Sequence, residues 1–159
     1  MTLATKSFWI CLPLATGLVT PSAIIFCLEV FVGCVSPIAA IQGIELRQFA
    51  EGHNLFLLAV VGLIPFALLS AILLVVGRHL SASRMACIAI GGLIGILAFM
   101  IPSHVAVWYP LYGGGHMSST AVIAFLFIPF YCLVTLVVGV LIGWAISCLS
   151  LPRCIPEKH

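Results

Sequence analysis

Hydrophobic residues are gathered into four long runs, and all but one of the charged residues lie outside these runs. The runs cover residues 7–35, 55–76, 85–107 and 120–149. Each exceeds the roughly 20 apolar residues that cross the hydrocarbon core of a bilayer as a helix. The runs are apolar on both faces, unlike the alternating strands of about 10 residues in a membrane β-barrel. The pattern predicts an all-α integral membrane protein, a single domain over residues 1–159 in which four helices form a bundle.

A shorter amphipathic stretch separates the first two runs. In 36-SPIAAIQGIELRQFAEGHN-54 the apolar positions recur at nearly helical spacing, with polar residues between them, at Ile38, Ile41, Ile44, Leu46 and Phe49. This spacing predicts a short helix that lies on the membrane surface. The alternative is an ordinary polar loop.

Composition supports the membrane class. The chain is 64% hydrophobic and only 6% charged, whereas soluble domains are about one-quarter charged. The net charge of +2 is spread along the chain without a basic stripe, which argues against nucleic-acid binding. The first run is too long for the apolar core of a secretory signal and lacks an Ala-x-Ala cleavage site, so it is expected to be a membrane span.

The positions of lysine and arginine predict the orientation. Five of the six fall on one side of a four-span chain: Lys6, Arg78, Arg84, Arg153 and Lys158. Only Arg47 falls on the other side. The positive-inside rule therefore predicts that both termini are cytoplasmic and that 36–54 faces outward. Aromatic residues agree, since Trp9 and Trp144 lie near the predicted inner boundary and Trp108, Tyr109 and Tyr112 near the outer one.

Small residues indicate close helix packing. Gly91 and Gly95 form a GxxxG motif in the third run, and Gly139 and Gly143 form another in the fourth. Such motifs let helix backbones approach closely, either within one bundle or between protomers. The seven cysteines include no CxxC pair and lie mostly within the runs, where we expect them to pack as small apolar residues.

Glu29 is the one acidic residue inside an apolar run, about six residues or roughly 9 Å from its outer end. A carboxylate is costly in hydrocarbon, so a partner is expected. The leading candidate is His104, about one turn inside the outer end of the third run.

His53 and His116 are predicted to lie at the same outer side as Glu29 and His104. Three imidazoles and a carboxylate could ligate zinc, copper or iron, or two histidines could hold a haem. Alternatively, Glu29 and His104 could transfer protons or form a ligand pocket. No two histidines have helical ligand spacing, and no HExxH occurs. The alternative without a metal is that these histidines bond to loop backbone and lipid headgroups.

The segment 109-YPLYGGGHMSST-120 is explained largely as a turn. Its tyrosines are expected at the membrane boundary, its three glycines permit the reversal, and Ser118 or Ser119 caps the next helix. His116 is the one member that a turn does not require. The chain contains no GxSxG motif, acidic pair or phosphate-binding loop, so no catalytic residue is assigned.

The segment 118-SSTAVIAFLFIPFY-131 resembles small bacterial four-span membrane proteins that have no known activity. The resemblance covers about fourteen residues and implies a bacterial inner membrane. The size of the chain and 47-RQFAEGHN-54 are similar to the glutathione-using MAPEG enzymes. However, their wider arginine pattern is missing, and Arg47 is predicted on the outer side.

These observations predict a non-catalytic accessory subunit that assembles with, stabilises or protects another membrane protein, in the manner of an immunity protein. Helix–helix contacts with that protein or with a second copy would carry this function, and no cofactor is predicted. The alternative is a redox or transport component that uses Glu29, His53, His104 and His116 for a metal ion or haem. A third possibility is an oligomeric transporter or channel, since each run contains a proline that could break its helix.

Overall fold

The computed structural model describes residues 3–48, 55–115 and 121–150. These residues form six helices, namely α1 Leu3–Phe31, α2 Pro37–Arg47, α3 Leu55–Gly62, α4 Ile64–Val76, α5 Ala82–Tyr112 and α6 Ala121–Ser150. No strand occurs in these ranges. The all-α fold is therefore confirmed.

Four spans are long and apolar enough to cross a bilayer: Thr5–Phe31, Leu55–Val76, Ala82–Tyr112 and Ile123–Leu149. The chain is thus a multi-pass membrane protein. The second span consists of α3 and α4, which are separated at Leu63. Pro65 explains this break, because it has no backbone donor and its ring would clash with the carbonyl one turn earlier in a continuous helix.

The helices of the first and third spans, α1 and α5, begin and end at other residues than predicted. α1 ends at Phe31, and the following Cys34 adopts a left-handed backbone with φ 53°. The Val35 N–H donates to Glu29 O at 3.0 Å, which closes the helix end. α5 continues past residue 107 to Tyr112 and includes Pro110. Glu29 and His104 consequently lie at other distances from their helix ends than the sequence suggested.

α5 is the central helix, and its most extensive contact is with α6. On other sides it packs against α1 and α4, while α1 also contacts α3 and α4. The core between these helices is apolar and closely filled, with fully buried side chains at Phe66, Leu69, Ile96, Met100 and Leu136.

The bundle has two ends that differ in chemistry. At one end the Lys6 ammonium donates to the carbonyl oxygen of Gly77 at 2.7 Å, so the start of α1 meets the end of α4. We call this the Lys6 end. The opposite end carries α2 and is called the α2 end. The outward position of the α2 end and the cytoplasmic position of the termini remain predictions from the charge distribution.

α2 is the short helix that the spacing of isoleucines predicted. Ser36 caps it by accepting a hydrogen bond from the Ala39 N–H at 3.4 Å, and Pro37 occupies the first turn. Ala40 is fully buried against the bundle. The apolar side chains Ile38, Ile41 and Leu46 are exposed on the bundle surface. In a membrane these side chains are available to lipid.

Candidate functional sites

Glu29 lies two residues before the end of α1, and its side chain is almost fully buried, with 3% of the residue exposed. Arg47 at the end of α2 donates from Nη1 to Glu29 Oε1 at 2.5 Å. The Arg47 side chain is 39% exposed. One buried carboxylate is thus neutralised by a guanidinium that still reaches the surface.

Tyr112 adds a third helix to this ion pair. Arg47 Nη1 donates to the Tyr112 hydroxyl oxygen at 3.0 Å, and that hydroxyl donates to Glu29 Oε1 at 3.5 Å. The three side chains come from α1, α2 and the last residue of α5. They therefore hold the short helix against both spans at the α2 end.

Gly43 gives the carboxylate its room beneath α2. A Cβ at this position would lie 3.6 Å from Glu29 Oε2, 3.8 Å from Oε1 and 3.8 Å from Arg47 Nη2. Gly43 and Arg47 are one turn apart, so they lie on the same side of α2. One turn of α2 therefore places both the bare backbone of Gly43 and the paired cation against the carboxylate.

Among the described residues, three buried side-chain atoms have no hydrogen-bond partner: Glu29 Oε2, His104 Nδ1 and Trp108 Nε1. Most buried polar groups in proteins are paired, so each exception needs an explanation. His104, Trp108 and Tyr112 follow one another at four-residue intervals along α5, and Tyr112 contacts Glu29. The unpaired atoms thus belong to the half of the bundle nearer the α2 end.

Arg47 is the partner that the structure gives to Glu29, in place of the predicted His104. The His104 ring instead packs on Phe125 of α6, with ring centroids 5.5 Å apart, and Trp108 packs on the same ring at 5.2 Å. His104 lies eight residues below Tyr112, or about 12 Å along α5. The predicted pairing is wrong because α5 extends to Tyr112, and Tyr112 is the α5 residue that contacts Glu29, whereas His104 lies about two turns away along the helix.

The structure describes two of the four predicted metal or haem ligands, Glu29 and His104. His53, His116, Ser118 and Ser119 lie outside the described residues. Within the described ranges, no group of three or more His, Cys, Asp or Glu side chains could hold a metal ion. Ligation by Glu29, His53, His104 and His116 therefore stays a prediction.

The four glycines of the two GxxxG motifs lie where α5 and α6 are closest. A Cβ on Gly91 would overlap the Gly139 carbonyl oxygen and lie 2.9 Å from Gly143 Cα. A Cβ on Gly95 would overlap the Thr135 carbonyl oxygen. The sequence left open whether these motifs act within the bundle or between protomers, and in the structure they bring two helices of one chain together.

An open groove follows this close contact along the α5 and α6 surface. Its volume is about 500 Å³, and almost all of its lining is apolar. The floor contains the four glycines, and exposed rim residues include Ile94, Val138 and Ile142. Thr135 is the one hydroxyl residue of the lining, and it donates to its own helix, to Cys132 O at 3.1 Å. The groove therefore fits an apolar occupant.

No protein-family model matches the chain, and no curated protein or solved structure is similar to it. The functional inference therefore rests on the groove and on the side chains around it.

Arg47, Tyr112 and Gly43 are the cluster members that sequence reasoning missed. One signal could have identified Arg47, because it is the single lysine or arginine that the topology prediction places on the same side as Glu29. Tyr112 was assigned to the membrane boundary, and its contact depends on the extra length of α5. Gly43 gives no signal, since a glycine in a short helix indicates nothing about the helix below it.

Proposed function

We propose that this chain is an accessory subunit that binds a transmembrane helix of another membrane protein in the α5–α6 groove. The observation that carries the proposal is the open, glycine-floored groove of about 500 Å³. A cavity of about 150 Å³ holds a group of the size of benzene. The groove therefore has room for about three apolar side chains of a partner helix.

The position of the groove fits a partner within the membrane. Its lining runs from Cys87 to Ala98 on α5 and from Thr135 to Ile146 on α6, inside two helices that qualify as spans. Helices in lipid associate through close van der Waals packing, which small residues permit. An aliphatic rim above a glycine floor suits a helix that carries its own large apolar side chains.

The interior of the bundle supports binding rather than transport. Where the helices meet, the described core is occupied by fully buried apolar side chains such as Phe66, Ile96 and Met100. His104 belongs to the α2 end of α5. One turn farther from that end, α5 contributes Met100 to this apolar core. A path through the described part of one chain would have to displace this core. An external binding surface requires no such displacement.

Photo-crosslinking in the membrane tests the proposal. A small diazirine-bearing residue is placed at Val138, on the groove rim, or at Val137, which is equally exposed but outside the lining. We expect a discrete protein adduct from position 138 and none from position 137. Ile94→Trp, which fills the groove, should abolish that adduct. Ile101→Trp, exposed on α5 outside the groove, should leave it unchanged.

The mass of the adduct separates the possible occupants. An adduct with a different membrane protein supports the proposed function. An adduct of twice the mass of the chain indicates self-association instead. Lipid adducts alone, or equal protein adducts from positions 137 and 138, contradict the proposal because the groove then has no specific protein occupant.

A further inference from the structure

We propose that the partner helix carries a neutral polar side chain, a hydroxyl or an amide, that hydrogen-bonds to the hydroxyl of Tyr131. This inference rests on the function proposed above and adds one requirement to the chemistry of the partner. The groove itself calls for apolar side chains. The polar contact lies just beyond the end of the groove that is nearer the α2 end.

Tyr131 continues the face of α6 that lines the groove. Thr135, the first groove residue of α6, comes four residues after Tyr131, so the two side chains lie on one face of the helix. The Tyr131 ring packs on Phe99 of α5, with ring centroids 5.7 Å apart. Phe99 directly follows Ala98, the last groove residue of α5. The two aromatic rings therefore border the groove at this end.

The Tyr131 hydroxyl has no hydrogen-bond partner among the described residues. The residue is 56% exposed on the bundle surface, so a neighbouring helix can reach its side chain. Thr135 differs, because its hydroxyl donates to Cys132 O within α6. Of the two hydroxyl residues on this face, Tyr131 is the one that requires a partner from outside the chain.

Tyr131 lies at a depth where water does not supply that partner. It is five residues before Leu136, the midpoint of the span Ile123–Leu149, which is about 8 Å at 1.5 Å per residue. With the span centred in the bilayer, the hydrocarbon extends about 15 Å to each side of this midpoint. An unpaired hydroxyl costs free energy in hydrocarbon. A polar group of the partner helix at this level would remove the cost, and polar side chains join membrane helices in this way.

The same depth selects the class of polar group. A charged side chain is costly within the hydrocarbon, whereas hydroxyl and amide side chains are neutral and occur at helix contacts in membranes. A phenolic hydroxyl both donates and accepts, so serine, threonine, asparagine and glutamine all complement it. A partner helix that packs along α6 would carry one of these four residues about one turn beyond the apolar side chains that fill the groove.

Tyr131→Phe isolates the hydroxyl, because phenylalanine keeps the ring and its contact with Phe99. The readout is the yield of protein adduct from a diazirine at position 138, at expression levels where the wild-type yield still increases with the amount of chain. We expect the yield to fall about threefold to tenfold, the factor that one hydrogen bond between membrane helices gives. Tyr109→Phe is the control, since Tyr109 is equally exposed on α5 but outside the groove, and it should leave the yield unchanged.

An aryl azide at position 131 identifies the group on the partner. p-Azidophenylalanine in place of Tyr131 puts the reactive nitrogen where the hydroxyl was, and the crosslinked residue is mapped by mass spectrometry. We expect an adduct within one turn of a serine, threonine, asparagine or glutamine of the partner. The same azide at Phe130, which is 61% exposed but turned about 100° around α6, should give no partner adduct.

The outcomes separate this inference from the proposed function. Absence of a protein adduct from position 138 in the wild type overturns both. An adduct that Ile94→Trp abolishes and Tyr131→Phe leaves unchanged keeps the groove as the binding site and overturns the hydrogen bond. An adduct from position 131 that maps to a wholly apolar or a charged stretch, or that contains only lipid, also overturns it. If Tyr131→Phe lowers the amount of folded protein, the mapped adduct from position 131 decides the question.

Discussion

Gly139→Ala should destabilise the protein by about 1–2 kcal/mol, although alanine is the better helix former by up to about 1 kcal/mol. The added Cβ would overlap the Gly91 carbonyl oxygen and lie 3.0 Å from Gly91 C and 3.1 Å from Gly95 Cα. All three obstacles are backbone atoms of α5, so no side-chain rotation relieves them. The two helices must move apart, and contacts are lost along their whole interface.

Gly62→Ala is the matched control for this experiment. Gly62 is also helical and buried, but a Cβ there would meet only Met100 Cε, at 3.9 Å. This variant should be as stable as the wild type or more stable. The free energy of unfolding is measured by SDS titration in mixed micelles, followed by tryptophan fluorescence. Equal stability of the two variants would mean that the close α5–α6 contact contributes little.

The number and type of spans could be predicted from the sequence, because length and apolarity alone determine whether a helix crosses a bilayer. Helix ends were predicted less well, since they depend on packing. The third span was predicted to end at residue 107 and 109–120 to form a turn, but α5 continues through Pro110 to Tyr112. Pro110 removes one backbone hydrogen bond, whereas the helical conformation buries Trp108 and brings Tyr112 to Glu29 and Arg47.

The chemistry of the α2 end was predictable in part. Glu29 stood out because a carboxylate within an apolar run requires a partner. His104 was chosen as that partner on depth alone, and depth does not indicate which neighbour a helix face contacts. In the structure that face presents His104 to Phe125 of α6. The true partner comes from α2, whose direction relative to α1 no sequence pattern specified.

Arg47→Met should destabilise the protein by about 2–3 kcal/mol. Removing one partner of a buried pair costs about 3–5 kcal/mol because the other charge is left uncompensated. The expected value is lower because the Arg47 side chain is 39% exposed and partly screened by solvent. Arg78→Met, at an exposed arginine of the opposite end, should change the stability by less than about 0.5 kcal/mol.

A double-mutant cycle separates the ion pair from the packing of the arginine stem. Glu29→Gln alone should cost about 1 kcal/mol, since the neutral amide no longer pairs with Arg47 but retains an acceptor oxygen. When both residues are changed, the loss should be clearly smaller than the sum of the single losses, because no buried charge remains. Strictly additive losses would show that Arg47 stabilises the α2 end through its apolar stem, and that the carboxylate is compensated by another group.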